Sequence, residues 1–180
     1  LHIDCRQYEI PAVFHESTGR KEMIEIAHIH PMLVHFPIVF WLTAVTLQAI
    51  ILIKGGDLTQ RQCLSQVAVG ALMLGTLAGI AAATFGDIAL DHAAALGFPK
   101  ATMEVHETMA TITLWLFIGL AALHAFFFWR QTALNKKFAW GLLAVGVIGI
   151  FLVLITAYLG GNLVYHLGVN VRAVTPAAGS

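Results

Sequence analysis

The sequence predicts an all-α integral membrane protein, folded as a four-helix up-down bundle. Three observations point there. Hydrophobic residues make up 58% and charged residues only 11% of the 180 positions, whereas soluble domains carry about 25% charged residues. Four apolar runs each supply the roughly 20 residues that a spanning helix needs. Short polar loops separate them, and short loops make successive helices antiparallel neighbours.

These elements account for nearly the whole chain as one domain, residues 28–171, between a polar arm at 1–27 and a tail at 172–180. Formal net charge is zero, which gives no bulk basic signal and hence no nucleic-acid partner. Cys5 and Cys63 fall on opposite sides of the membrane in the topology derived below. No CxxCH is present to attach a c-type haem. A glycine-rich phosphate loop, an HExxH and a nucleophile elbow are also missing from the sequence. With no acid–base pair in view, the chain is not expected to catalyse a reaction alone.

The arm mixes Asp4, Glu9, Glu16, Glu22 and Glu25 with Arg6, Arg20 and Lys21. It lacks the apolar core of a signal peptide and reads as a surface element for docking on a partner. The first helix is expected at about 31–54, entered through His28-Ile-His-Pro-Met-Leu-Val-His-Phe-Pro37. If Pro31 starts it, Pro37 must kink it and deprive the Leu33 carbonyl of its donor. If Pro37 starts it, His35 sits just outside. Either way the backbone around His35 is irregular, and Pro31 is expected to hold His30 in extended backbone beyond the helix.

The second helix is expected at about 65–88, where Ala71, Gly75, Gly79 and Ala83 form a stripe of small residues. Such a stripe lets another helix approach closely, and it would also admit the flat face of a porphyrin. The third helix is expected at about 106–129 and the fourth at about 138–159. Gly160-Gly161 should break the chain before His166. No long internal repeat is obvious.

Orientation follows from the loops. The first and third carry Lys54, Arg61, Arg130, Lys136 and Lys137, against Lys100 alone in the second. Positive-inside counting puts the first and third loops in the cytoplasm and both termini outside. For a bacterial inner (cytoplasmic) membrane, that makes both termini periplasmic. His28, His30, His35, His92, His106 and His166 then gather at the outer surface, with His124 alone near the inner one.

Histidine inside a membrane is costly and usually faces the bundle interior. His35, His106 and His166 are expected to converge from three helix ends at similar depth, with His30 next in line. Three imidazoles in apolar surroundings suggest a haem in preference to a hydrated ion, since a b-type haem takes one or two imidazole nitrogens in an apolar slot. His35 and His106 are the expected axial pair. Arg172, Lys100 or Tyr165 would meet the propionates, and Glu104 or Glu107 would orient the His106 ring as neighbouring carboxylates do. His106 and His124 are five turns apart, about 27 Å at 1.5 Å per residue, so they cannot share an iron. A second, inner haem would have His124 as its imidazole, with Met73 the other candidate by depth.

Three stretches carry a family resemblance: His30-Pro-Met-Leu-Val-His-Phe-Pro-Ile38, the histidine opening the third helix (His106), and Leu159-Gly-Gly-Asn-Leu-Val-Tyr-His-Leu-Gly-Val169. The chain resembles the membrane family called domain of unknown function 2231 over about Ile29 to Val171. That family is similar to four-helix b-type cytochromes, which act as membrane anchors and electron carriers in respiratory complexes. The resemblance implies haem b and electron transfer between a quinol or membrane partner and a periplasmic electron carrier. Two-haem members of that class place ligand pairs at both faces, and this chain departs from them by lacking the inner partner. Two other readings of the residues stay open. One is a haem-free structural or assembly subunit of a larger membrane complex. The other is a copper- or zinc-binding membrane protein using His28, His30 and His35.

Overall fold

The computed structural model describes residues 28–60 and 62–171. The arm at 1–27, with Cys5, and the tail at 172–180, with Arg172, lie outside the described residues. Among the described residues five helices follow in order: α1 (Ile29–Leu33), α2 (His35–Ile53), α3 (Cys63–Ala95), α4 (Lys100–Arg130) and α5 (Lys136–Tyr165). No strand occurs among the described residues. Helices α1 and α2 run on as one span of 25 residues, so among the described residues four helices are long and apolar enough to cross a membrane. Each packs on its chain neighbours and α5 returns to α2, which leaves α2 and α4 on one diagonal and α3 and α5 on the other. This is the expected up-down bundle.

The two prolines explain the entry. Pro31 falls in the first turn of α1, where a missing N–H has no helical partner to lose. His30 is therefore helical, in place of the extended backbone expected for it. Val34 forms the joint, its N–H bonding the His30 carbonyl (3.1 Å). Pro37 sits in the first turn of α2 and withholds the donor that Leu33 would otherwise meet.

The other helices run past their expected ends. Hydropathy marks the part in lipid, whereas backbone hydrogen bonds carry α3 on through Asp87 and Asp91 and start α4 already at Lys100. At 33 residues, α3 is about 50 Å long at 1.5 Å per residue, well beyond an apolar core of about 30 Å. It stops where Gly97 turns left-handed, at φ +95°. Gln131 ends α4 in the same way, at φ 50°. Asn135 then caps α5 by accepting the Lys137 N–H on its side chain (3.0 Å). Gly160-Gly161 does not break α5, which continues to Tyr165.

At mid-height the indole of Trp41 lies parallel to the ring of Phe117, with centroids 4.1 Å apart. Both side chains are buried. The small-residue stripe of α3 serves this contact: a Cβ on Gly75 would stand 2.7 Å from the Trp41 ring, and one on Gly79 2.9 Å from it. Trp41 also donates its ring N–H to Thr76 (3.3 Å). The stripe that would have suited a porphyrin thus seats an indole.

The chain does contain a repeat. His30 matches His106, Trp41 matches Phe117 and Gln48 matches His124, each 76 residues on (30 to 106, 41 to 117, 48 to 124). In the following helices Gly75 matches Gly149, Gly86 matches Gly160 and His92 matches His166, each 74 residues on (75 to 149, 86 to 160, 92 to 166). The contacts repeat as well: Gly149 faces Phe117 at 2.8 Å as Gly75 faces Trp41. The hairpin of α1–α3 and the hairpin of α4–α5 are two versions of one unit.

Candidate functional site

The repeat singles out His30 and His106. The Nδ1 of His30 donates to the Ala82 carbonyl on α3 (2.7 Å). The Nδ1 of His106 donates to the Thr156 carbonyl on α5 (3.1 Å). A carbonyl only accepts, so each Nδ1 carries the proton, and each neutral ring keeps its lone pair on Nε2. Among the described residues neither Nε2 has a hydrogen-bond partner.

Both rings rest on glycine. A Cβ on Gly86 would come within 3.0 Å of the His30 ring, and one on Gly160 within 3.0 Å of the His106 ring. Each glycine stands one turn beyond the carbonyl that anchors the same ring (Ala82 to Gly86, Thr156 to Gly160). Glycine in mid-helix costs about 1 kcal/mol relative to alanine, and here it makes room for an imidazole between two helices. The two half-buried rings come from the diagonal spans, each anchored on the helix that follows it. The structure therefore places His30 and His106 at the same end of the bundle.

The other expected site residues lie apart. His35 is exposed, its Nδ1 only 3.4 Å from the Met32 carbonyl of the preceding turn. His166 is exposed at the end of α5. Among the described residues, no group of three or more His, Cys, Asp or Glu side chains is arranged to hold a metal ion. His28 donates from Nε2 to the Asn170 carbonyl (3.1 Å), so His28, His30 and His35 face three different ways. Thr156, not Glu104 or Glu107, orients the His106 ring. Those glutamates instead line a cleft of about 690 Å³ between α3 and α4, with Asp87, Asp91 and Lys100.

Two further residues belong to the same register: His92, which the sequence reading placed in the outer cluster without a role, and Gln48, which it passed over. His92, the repeat partner of His166, is buried, with no hydrogen-bond partner for Nδ1 among the described residues. Gln48, the repeat partner of His124, is buried beside it at the opposite end of the bundle. The repeat was the signal that would have found both.

A family profile described as predicted membrane protein (DUF2231) matches residues 27–173. The chain belongs to the DUF2231 family. The match spans all five helices and both histidine-bearing motifs of this DUF2231 member, from the HPMLVHFP entry to the closing LVYHLGV. No curated protein and no solved structure matches it.

The pair has the donor chemistry of metal-ligating histidines, the kind a haem iron takes. Metal-ligating histidines almost always give their other ring N–H to a carbonyl or carboxylate, which fixes the tautomer and aims the lone pair. His30 and His106 are both held in that state before any metal is considered.

Proposed function

We propose that the chain is a b-type cytochrome subunit of the bacterial inner membrane, holding one haem b between His30 and His106. The observation that carries this reading is the matched anchoring of the two rings on diagonal helices. Their Nδ1 atoms are tied to backbone carbonyls, and their Nε2 lone pairs are left for a metal. His106 is the ligand already expected. His30 replaces His35 as its partner, because His35 lies on the exposed face of α2.

A bound haem b supplies one-electron chemistry at its iron. The protein contributes the two imidazoles and the carbonyls of Ala82 and Thr156 that orient them. Beneath them lies the buried, stacked Trp41–Phe117 layer. Electrons would pass between a quinol or membrane partner and a periplasmic carrier. The basic loops at the opposite end, with Lys54, Arg130, Lys136 and Lys137, favour both termini on the periplasmic side. Other subunits of a redox complex would complete the path.

The test is a reduced-minus-oxidised optical spectrum of the purified full-length chain, with haem counted against protein. One b-type haem per chain supports the reading. A chain that binds no haem when expressed with excess haem would make it a structural or assembly subunit instead.

A further inference from the structure

At the end of the bundle opposite His30 and His106, the repeat places Gln48 beside His124. Each is only 5% exposed. The Nδ1 of His124 donates to the Leu120 carbonyl one turn back (2.9 Å), so the neutral ring presents a bare acceptor at Nε2. That Nε2 and the side-chain Nε2 of Gln48 are buried without a hydrogen-bond partner among the described residues. Two unmet polar groups so close together in a membrane core are costly, because neither lipid nor apolar side chains can satisfy them.

Both residues line one small cavity of about 10 Å³, walled by Ala44, Val45, Leu72 and Leu120 and covered by Leu58 from the loop after α2. A cavity needs roughly 10–15 Å³ on this measure to take one water, and the water needs two or more polar partners. We propose that this cavity binds a single water that bridges Gln48 and His124. The water donates one hydrogen to His124 Nε2 and accepts one from the Gln48 amide. If the amide is turned over, the water donates to both groups, so either orientation is satisfied.

This assigns the inner end of the bundle to a water, where a second haem would have needed His124 as an axial ligand. Met73, the other candidate for that role, is 38% exposed and does not line the cavity. The inference concerns this end alone and does not depend on haem at His30 and His106.

Hydroxyl-radical footprinting by X-rays on the purified full-length protein tests it, because a water held inside a core generates radicals in place. His124 should be oxidised at a rate comparable with exposed His35, while the buried Phe117 stays unmodified. Gln48→Met keeps the shape and removes the polar group. It should abolish His124 oxidation while leaving the helical content unchanged. The proposal is overturned if His124 in the native chain is as inert as Phe117, which is the result for a direct Gln48–His124 bond. It is also overturned if Gln48→Met leaves the oxidation of His124 intact. Two haems per chain, one of them lost in His124→Ala, would overturn it as well.

Discussion

His106 packs so closely on Gly160 that a Cβ at that glycine would lie 3.0 Å from the ring's Cε1. The ring's hold on the Thr156 carbonyl depends on that missing side chain. An alanine needs the ring to give by only a few tenths of an ångström, whereas a leucine has to occupy the space of the ring itself. Gly160→Leu should therefore displace His106 and cost about 1–3 kcal/mol, the usual range for overpacking. Gly86→Leu should do the same to His30. Thermal unfolding in detergent reads the loss of stability, and both variants should bind less haem than the native chain.

The aromatic layer gives a second prediction. A Cβ at Gly75 would lie 2.7 Å from the Trp41 ring, and one at Gly149 2.8 Å from Phe117, closer than such contacts occur. Neither ring can move away, because the two stack on each other at 4.1 Å. Gly75→Ala should lower stability by about 1–3 kcal/mol, despite the gain of up to about 1 kcal/mol in helix propensity. Gly70→Ala is the control, since a Cβ there meets nothing within 4 Å. It should be neutral or stabilising.

Topology can be checked with the native thiol. Cys63 is free and exposed at the start of α3, at the end that carries the basic loops. A membrane-impermeant maleimide should fail to label it in intact cells and label it in inverted vesicles. A cysteine introduced in the 96–99 turn should behave in the opposite way. The reverse pattern would put His30 and His106 on the cytoplasmic side.

The four spans and their up-down order were legible because they depend on composition and loop length, which single residues hardly change. The helix ends were not legible. Hydropathy falls at Asp87 and recovers only well after Lys100, yet α3 continues through Asp87 and α4 already begins at Lys100. His106 could be read from its place at a helix entrance, but its partner could not. The residue before a proline is normally kept out of helices, and His30 escapes that rule only because Pro31 lies in a first turn. Gln48 gave no sign of itself inside an apolar run. It shows only through its register with His124, and the two-residue change of offset between the first and second helices of the repeat hides that register.

The most direct measurement is the reduced-minus-oxidised spectrum of three single variants beside the native chain. His30→Ala and His106→Ala should each lose the b-type signal or convert it to an altered, one-histidine form. His35→Ala should retain the native spectrum, since that side chain faces outward. A normal spectrum in His30→Ala, with the signal lost in His35→Ala, would contradict the pairing of His30 with His106 and return the second ligand to His35.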